Sequence, residues 1–284
     1  MRPHGQTPVG HALRCTTVDQ LPAGAGEVAV TRVGTIATLW LNRPAKRNAI
    51  TYAMWRGIAD ACVALAGDPD VRVVVVCGVG AHFCAGADIA ELGTVDADAY
   101  LVATRDAETG LSGLPMPTIA FVTGACVGGG AEVAIACDLR IADTTVQLGI
   151  TPSRLGIVYP PFAIERAVRL LGPAATKHLL YSAELIGHER ALRIGLVDEV
   201  HEPGAAEERL LAFCDLLAGE RSALTQHASK ELVDAVVRDG AIDPALARRW
   251  ADEVAGSPDR IEGASAFAER RPPRFAWRRP RPAG

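Results

Sequence analysis

No stretch of this 284-residue chain is apolar for the ~18–20 residues that a membrane-crossing helix needs; the most apolar run, residues 71–79, is short and carries Arg72. The start, Met1-Arg2-Pro3-His4-Gly5, has no apolar segment of the secretory kind. A surplus of one charge is also lacking. The 29 Lys+Arg stand against 33 Asp+Glu, a formal net charge of −4, which argues against nucleic acid, whose phosphates call for clustered positive charge. The seven cysteines, from Cys15 to Cys214, are odd in number and contain no Cys-x-x-Cys pair, so neither a metal site nor a disulfide framework is indicated. Cys62, Cys77, Cys126 and Cys137 stand in apolar stretches and read as reduced core residues. The seven histidines show no paired ligand spacing. These absences lead to the expectation of a soluble, cytoplasmic protein with no metal and with neither membrane nor nucleic acid as a partner.

What is present is an ordinary globular composition, 49% hydrophobic and 22% charged, in enough chain for one large domain or two modest ones. Residues 1–25 are rich in Gly, Pro and Thr without period and read as a loose arm. Residues 27–32 and 35–41, separated by Val33-Gly34, read as a hairpin. Residues 51–66 read as a helix, because Trp55, Ile58, Cys62 and Leu65 recur at three and four residues. Residues 72–79 and 118–122 read as buried strands, and residues 139–142 as a third. A helical stretch is expected through about residue 112, and another from Ala131. Strands alternating with helices imply parallel βα units. Beyond Pro161 the reading is almost all helix, with stripes such as Leu210, Phe213, Cys214, Leu217 and Leu246, Trp250, Val254. The expected division is a core over 26–200, a helical region over 201–270 and, over 271–284, a solvated tail; the end from Arg270 has six arginines and four prolines in fifteen residues.

Two places combine a buried strand with a turn of residues that have little or no side chain, Ala85-Gly86-Ala87 and Gly128-Gly129-Gly130. Such backbones admit close approach, and a helix N-terminus leaves its first amides unpaired and partly positive. Two such amides converging on one carbonyl oxygen make an oxyanion hole. The second turn is no phosphate loop, for it lacks a Gly-Lys-Ser/Thr ending and the dinucleotide spacing. Glu132, three residues beyond Gly129, can face the same ligand as that amide.

Four segments, in order, resemble the crotonase (enoyl-CoA hydratase/isomerase) superfamily. They are Leu41-Asn42-Arg43-Pro44-Ala45-Lys46-Arg47-Asn48-Ala49-Ile50, His82-Phe83-Cys84-Ala85-Gly86-Ala87-Asp88-Ile89, Gly128-Gly129-Gly130-Ala131-Glu132, and Ser257-Pro258-Asp259-Arg260-Ile261-Glu262-Gly263 followed by Ala266-Phe267-Ala268-Glu269-Arg270. The resemblance implies an α/β fold, a crotonase-like (ClpP/crotonase) ββα spiral with a C-terminal helical trimerisation region. It implies an acyl-CoA thioester substrate, coenzyme A entering only as part of that substrate and no tightly bound cofactor. By the same match the amides of Ala87 and Gly129 form the oxyanion hole, and the segments of Lys46, Ala49, Ala85, Asp88, Ile89 and Gly128 line the CoA path. Phe267 and Arg270 reach the CoA of a neighbouring subunit in a homotrimer or dimer of trimers; the family usually has lysine where Arg270 stands.

The family's hydratases bracket a water with two glutamates. Glu132 matches the first, while Pro152 occupies the place of the second, and proline moves no proton. The segment Thr151-Pro152, Leu155-Gly156 and Tyr159 resembles the methylmalonyl-CoA decarboxylase branch, in which a tyrosine stands in the active site. Glu132 and Tyr159 are therefore the candidate catalytic residues. The leading expectation is an enoyl-CoA hydratase-type lyase with a single catalytic glutamate. The alternatives are a decarboxylase of a 2-carboxyacyl-CoA and, in a different class, a non-catalytic CoA-binding scaffold.

Overall fold

The computed structural model describes Leu21, residues 25–91 and residues 93–280. The expected arm over 1–25, apart from Leu21 and Ala25, lies outside the described residues. Strands β1 (Val28–Val33) and β2 (Ile36–Leu41) pair antiparallel about Gly34, whose φ of 60° suits a residue without Cβ. Helix α1 (Tyr52–Gly67) starts at a Thr51 cap whose side chain accepts the Met54 N–H. There follow β3 (Val73–Gly78), α2 (Ala97–Ser112), β4 (Thr118–Val122), β5 (Ala125–Val127), α3 (Gly129–Ala136), β6 (Leu139–Asp143) and β7 (Gln147–Gly149). The remainder is α4 (Pro161–Ser182), β8 (Ile186–Gly187), α5 (His188–Arg193), β9 (Glu199–His201), α6 (Ala205–Asp215), α7 (Ala223–Asp239), α8 (Pro244–Gly256) and α9 (Pro258–Glu269).

The main sheet has the order β1-β2-β3-β4-β6-β9 and is parallel beyond its first pair; β5-β7-β8 form a small second sheet. Helices cover both faces of the main sheet, which explains why β3 reads as an unbroken apolar run rather than an alternation. Val74 and Val76 join Leu39, Leu41 and Val122 beneath Trp55, Ile58 and Leu111. Val73, Val75 and Cys77 point the other way, to Trp40, Phe121, Ile141 and the α6 residues Leu210 and Cys214. Burial pushes the Cys62 and Cys137 thiols up to about 12 and that of Cys126 well above its ordinary value, so these are protonated core side chains. No described helix is long and apolar enough to cross a membrane.

Three expectations need correction. Helix α3 begins at Gly129 rather than Ala131, behind a three-residue strand, β5, too short to leave a period in the sequence. The helical last third is interrupted by β8 and β9, and β9 completes the main sheet beside β6. The Arg-rich end is no solvated tail over its described part. Residues 271–280 alternate between half-buried and exposed positions as they run back over the molecule. Arg271 pairs with Glu262 and Glu269, Trp277 Nε1 donates to Glu253, and Arg278 pairs with Asp70. The Arg279 guanidinium donates to the carbonyls of Leu65 and Asp68 at the end of α1. A run of one charge is drawn out of solvent where opposite charge and carbonyl acceptors meet it, and here α8, α9 and the end of α1 supply both.

Asp259 is the anchor of this arrangement: 4% exposed, it accepts from the Ser222 hydroxyl and from the N–H groups of Ala276 and Trp277. Replacing it by alanine strands those donors, so Asp259→Ala is expected to cost about 2–3 kcal/mol in urea unfolding. It should also open residues 271–279 to trypsin; an unchanged midpoint and digest would contradict the anchoring role.

Candidate active site

The site is built from three segments that carry little side chain. In the first, Arg47 and Asn48 both adopt left-handed backbone, φ 50° and 58°, and buried Asn48 holds them there. Its Nδ2 donates to the carbonyls of Val79 and His82 while its Oδ1 accepts the Arg43 N–H. Arg43 donates onward to the Ala49 carbonyl and pairs with Glu27 and Asp88. So braced, Ile50 bridges Ala87 in parallel: the Ile50 N–H donates to Gly86 O and the Asp88 N–H to Ile50 O. The bridge uses the groups on either side of Ala87 and turns the Ala87 N–H to the opposite side.

On that opposite side runs β5. The Cys84 N–H donates to Ala125 O and the Val127 N–H to Cys84 O, which sets the second segment against the third. Gly128, at φ 57°, ends the strand and donates its N–H to Gly149 O, and α3 begins at once with Gly129. The approach is as close as backbone permits. A Cβ on Gly130 would stand 2.5 Å from Cys84 O, and one on Gly129 would stand 2.9 Å from the Trp55 ring and 3.4 Å from Ala87 N. The amides of Ala87 and Gly129 are therefore neighbours. The second opens a helix, where the N–H has no intrahelical acceptor and the dipole is positive.

Glu132 lies in the first turn of α3 and lines a narrow, largely apolar cavity with Ile135, Ile150, Tyr159, Ala163, Glu108 and Arg166. It retains some open surface while lying deep in the molecule. Burial, and then the charge of Glu108, push its carboxyl well above the ordinary range. Burial likewise drives the Tyr159 phenol upward, assisted by the charge of Glu132 and opposed by a backbone hydrogen bond from Thr151. Tyr159 Oη would lie 3.3 Å from a Cβ on Gly128, so the phenol reaches the edge of the amide pair.

Glu108 is the residue that sequence reasoning missed: it places a second carboxyl on the cavity that Glu132 lines. It sits on α2 with no exposed surface. Burial raises its carboxyl to about 7, against the opposing pull of Arg166 on α4. A signal was available: Thr104, Ala107, Glu108 and Leu111 form the buried stripe of α2, and an ionisable residue inside such a stripe is unusual.

The other expected residues divide. Ala85 and Gly128 stand beside the amide pair, and Ala49 lies on the braced segment. Lys46 is exposed at the end of a 3-10 turn, Pro44–Lys46, and Ile89 is exposed in the loop after Ala87. The Asp88 carboxylate accepts from Arg43 and from the Ala90 N–H, which hold it below the usual carboxylate range, so here it braces the loop. Pro152 is buried and opens the turn Pro152–Arg154. Phe267, 87% exposed, and Arg270 lie at the end of α9, and Phe267 lines a separate groove with Phe213, Leu217 and Phe275. Among the described residues no group of His, Cys, Asp and Glu gathers closely enough to hold a metal.

A parallel sheet, a small second sheet and glycine-turn amides apposed at the head of a buried helix define a protein of the crotonase fold. The chain belongs to the enoyl-CoA hydratase/isomerase family, whose sequence model matches residues 31–278. It is 34% identical over 250 residues to crotonyl-CoA hydratase of Syntrophomonas wolfei, covering 84% of this chain and 94% of that one. It is 30% identical over 250 residues to mitochondrial methylglutaconyl-CoA hydratase of Mus musculus, covering 84% and 79%. Among solved structures, an enoyl-CoA hydratase/carnithine racemase from Magnetospirillum magneticum superposes with a TM-score of 0.85 at 29% identity, over 89% of this chain and 96% of that one.

The raised carboxyls carry a stability consequence. Unfolded, both ionise near the ordinary value of 4.5, whereas the fold keeps them protonated to higher pH. The stability that Glu108 contributes is thus present below about pH 4.5 and is lost as the pH climbs through about 7, and that of Glu132 is likewise lost as the pH rises well above the ordinary carboxyl range. Glu132→Gln is expected to stabilise the protein at pH 8 by about 0.5–2 kcal/mol and to be neutral at pH 4. Denaturant melts at the two pH values check this, and destabilisation at pH 8 would show that Glu132 is ionised and well solvated.

Proposed function

We propose that the protein is an acyl-CoA lyase of the hydratase type, adding water across the 2,3 double bond of an enoyl-CoA thioester. The observation that carries the reading is the apposition of the Ala87 and Gly129 amides beside Glu132. Attack of water at C3 pushes charge onto the thioester oxygen, where the two N–H groups would hold it; each such donor is typically worth about 3–4 kcal/mol in the transition state. Glu132, three residues along α3 from Gly129, would exchange a proton with C2. The names of the hydratase relatives support the same chemistry.

In this reading Lys46, Ala49, Ala85, Ile89 and Gly128 line the path of the CoA moiety, Asp88 keeps that path in shape, and Pro152 bounds the acyl side. Coenzyme A enters as part of the substrate. Phe267 and Arg270, remote from the cavity of their own chain, serve the CoA of a neighbouring subunit in a trimer or a dimer of trimers. Sedimentation should then give three or six chains per particle, and a monomer at micromolar concentration would remove Phe267 and Arg270 from the site.

One observation favours a second reading. Tyr159 brings a phenol, kept protonated by burial, to the edge of the amide pair. That suits a donor that orients a departing carboxylate, as decarboxylation of a 2-carboxyacyl-CoA would require. Mass spectrometry of the CoA products from crotonyl-CoA and from methylmalonyl-CoA separates the readings. Gain of water from the first is expected, with Glu132→Gln lowering its rate about 10²–10⁴-fold and Tyr159→Phe changing it little. Loss of CO₂ from the second, impaired in Tyr159→Phe, would transfer the protein to the decarboxylases. Inertness toward both, unaltered by Glu132→Gln, is the outcome a non-catalytic CoA-binding scaffold gives.

A further inference from the structure

Buried ion pairs that hold a fold together are normally saturated with hydrogen bonds, because a desolvated charge left unsatisfied is costly. The Glu108–Arg166 pair is not. Its contact is 3.4 Å, from Arg166 Nε to Glu108 Oε2, without a formed hydrogen bond. Among the described residues no donor meets either oxygen of Glu108, and Arg166 Nε is likewise without an acceptor. Glu108 nevertheless belongs to the lining of the cavity that Glu132 and Tyr159 share. A fully buried carboxylate on a cavity lining, with two acceptor oxygens that no donor meets among the described residues, is arranged to receive a donor from something that enters the cavity.

We propose that Glu108 is the second proton-transfer carboxylate of this site, standing in from α2 for the one that Pro152 displaced, and that the attacking water is held between Glu108 and Glu132. The inference rests on the hydratase reading. The elements that carry the two residues assign the two roles. Glu132 shares the first turn of α3 with the Gly129 amide and so lies next to the thioester oxygen and C2. Glu108 approaches from a different helix, α2, on the wall it shares with Arg166, the side assigned to C3 in this proposal.

Like charges facing one cavity do not both ionise readily, so the pair keeps one proton near neutrality. Arg166 favours the charged form of Glu108, while burial and the charge of Glu108 keep the proton on Glu132. Other groups bear on the balance. Tyr159 faces both carboxyls from the loop before α4, Tyr100 of α2 and Cys84 feel the charge of Glu132, and Asp234 of α7 acts on Arg166. The step then balances. Glu108 takes a proton from water as the water oxygen bonds to C3, and the C2=C3 pair moves to form the enolate on the thioester oxygen. The enolate collapses as C2 takes the proton of Glu132. One water is added, the proton now resides on Glu108, and exchange with solvent resets the pair.

The test follows two bonds in one compound, 3-hydroxybutyryl-CoA in D₂O, together with hydration of crotonyl-CoA. Glu108→Gln removes a buried charge and should fold at least as well as the parent. It is expected to lower kcat for hydration about 10²–10³-fold with little change in KM, and to retain exchange of the C2 hydrogen for deuterium. Glu132→Gln should lose both reactions, and Glu108→Asp should recover part of the hydration. Arg166→Met should move the acidic limb of the pH profile of kcat/KM upward, as the carboxylate beside it loses its cation. Hydration unaffected by Glu108→Gln overturns the proposal, and so does loss of hydration and C2 exchange together, since Glu108 would then act only through the fold around Glu132. A parent protein that does not hydrate crotonyl-CoA overturns the hydratase reading itself, a result separate from either of these.

Discussion

The approach of the first turn of α3 to residues 84–87 is the contact on which the site depends. At Gly130 the helix backbone meets the Cys84 carbonyl so closely that a Cβ would stand 2.5 Å from it. Any side chain there would force the two segments apart and separate the amides of Ala87 and Gly129. The separation is set by the backbone ladder on either side, from Ile50 to Ala87 and from Cys84 to Cys126. Individual hydrogen bonds of this kind contribute only about 0.5–1.5 kcal/mol each. What makes the arrangement rigid is its backing, because β3 and β4 are buried on both faces and leave the loops at their ends little freedom.

Behind the amides the molecule tolerates a conflict that a core selected for stability alone would lack. Two carboxyl groups, Glu108 and Glu132, face one largely apolar cavity, with a single guanidinium partly compensating one of them. Desolvation and mutual repulsion both favour the neutral forms, so the pair resists full ionisation near neutral pH. Local rules of this kind are broken mainly where function requires it. In the proposed hydration, the cavity is where protons would be handled and the amide pair is where negative charge would be received.

The last third of the chain shows how little a charge run says without its partners. Arg271, Arg278 and Arg279 look like a solvated end when only their own segment is considered. In the fold, Glu262 accepts the fork of Arg271, Asp70 accepts Arg278, and the Leu65 and Asp68 carbonyls at the C-terminus of α1 accept Arg279. Exposed pairs of this sort contribute little singly. The segment is held chiefly by the buried Asp259 carboxylate and by the indole of Trp277, which packs beside Leu224, Ala228 and Trp250.

The sequence by itself determined the elements whose burial leaves a period or a continuous run: the β1–β2 hairpin, α1, β3 and β4 are legible because apolar spacing follows directly from which faces are covered. It also determined the glycine-rich turns, Glu132 behind them and the family, since those motifs are local and their glycines have few substitutes at such short range. The three-residue strand β5, the early start of α3 and the edge strand β9 were decided by tertiary pairing, being too short to carry a signal of their own. The fate of the tail depended on acids that are distant in sequence. Glu108 belonged to neither class until the chain folded: its place in the apolar stripe of α2 was visible, but its meaning came only when α3 and α4 brought Glu132 and Arg166 to the same cavity. Proton chemistry depends on which charges share a desolvated space, and that is a property of three dimensions.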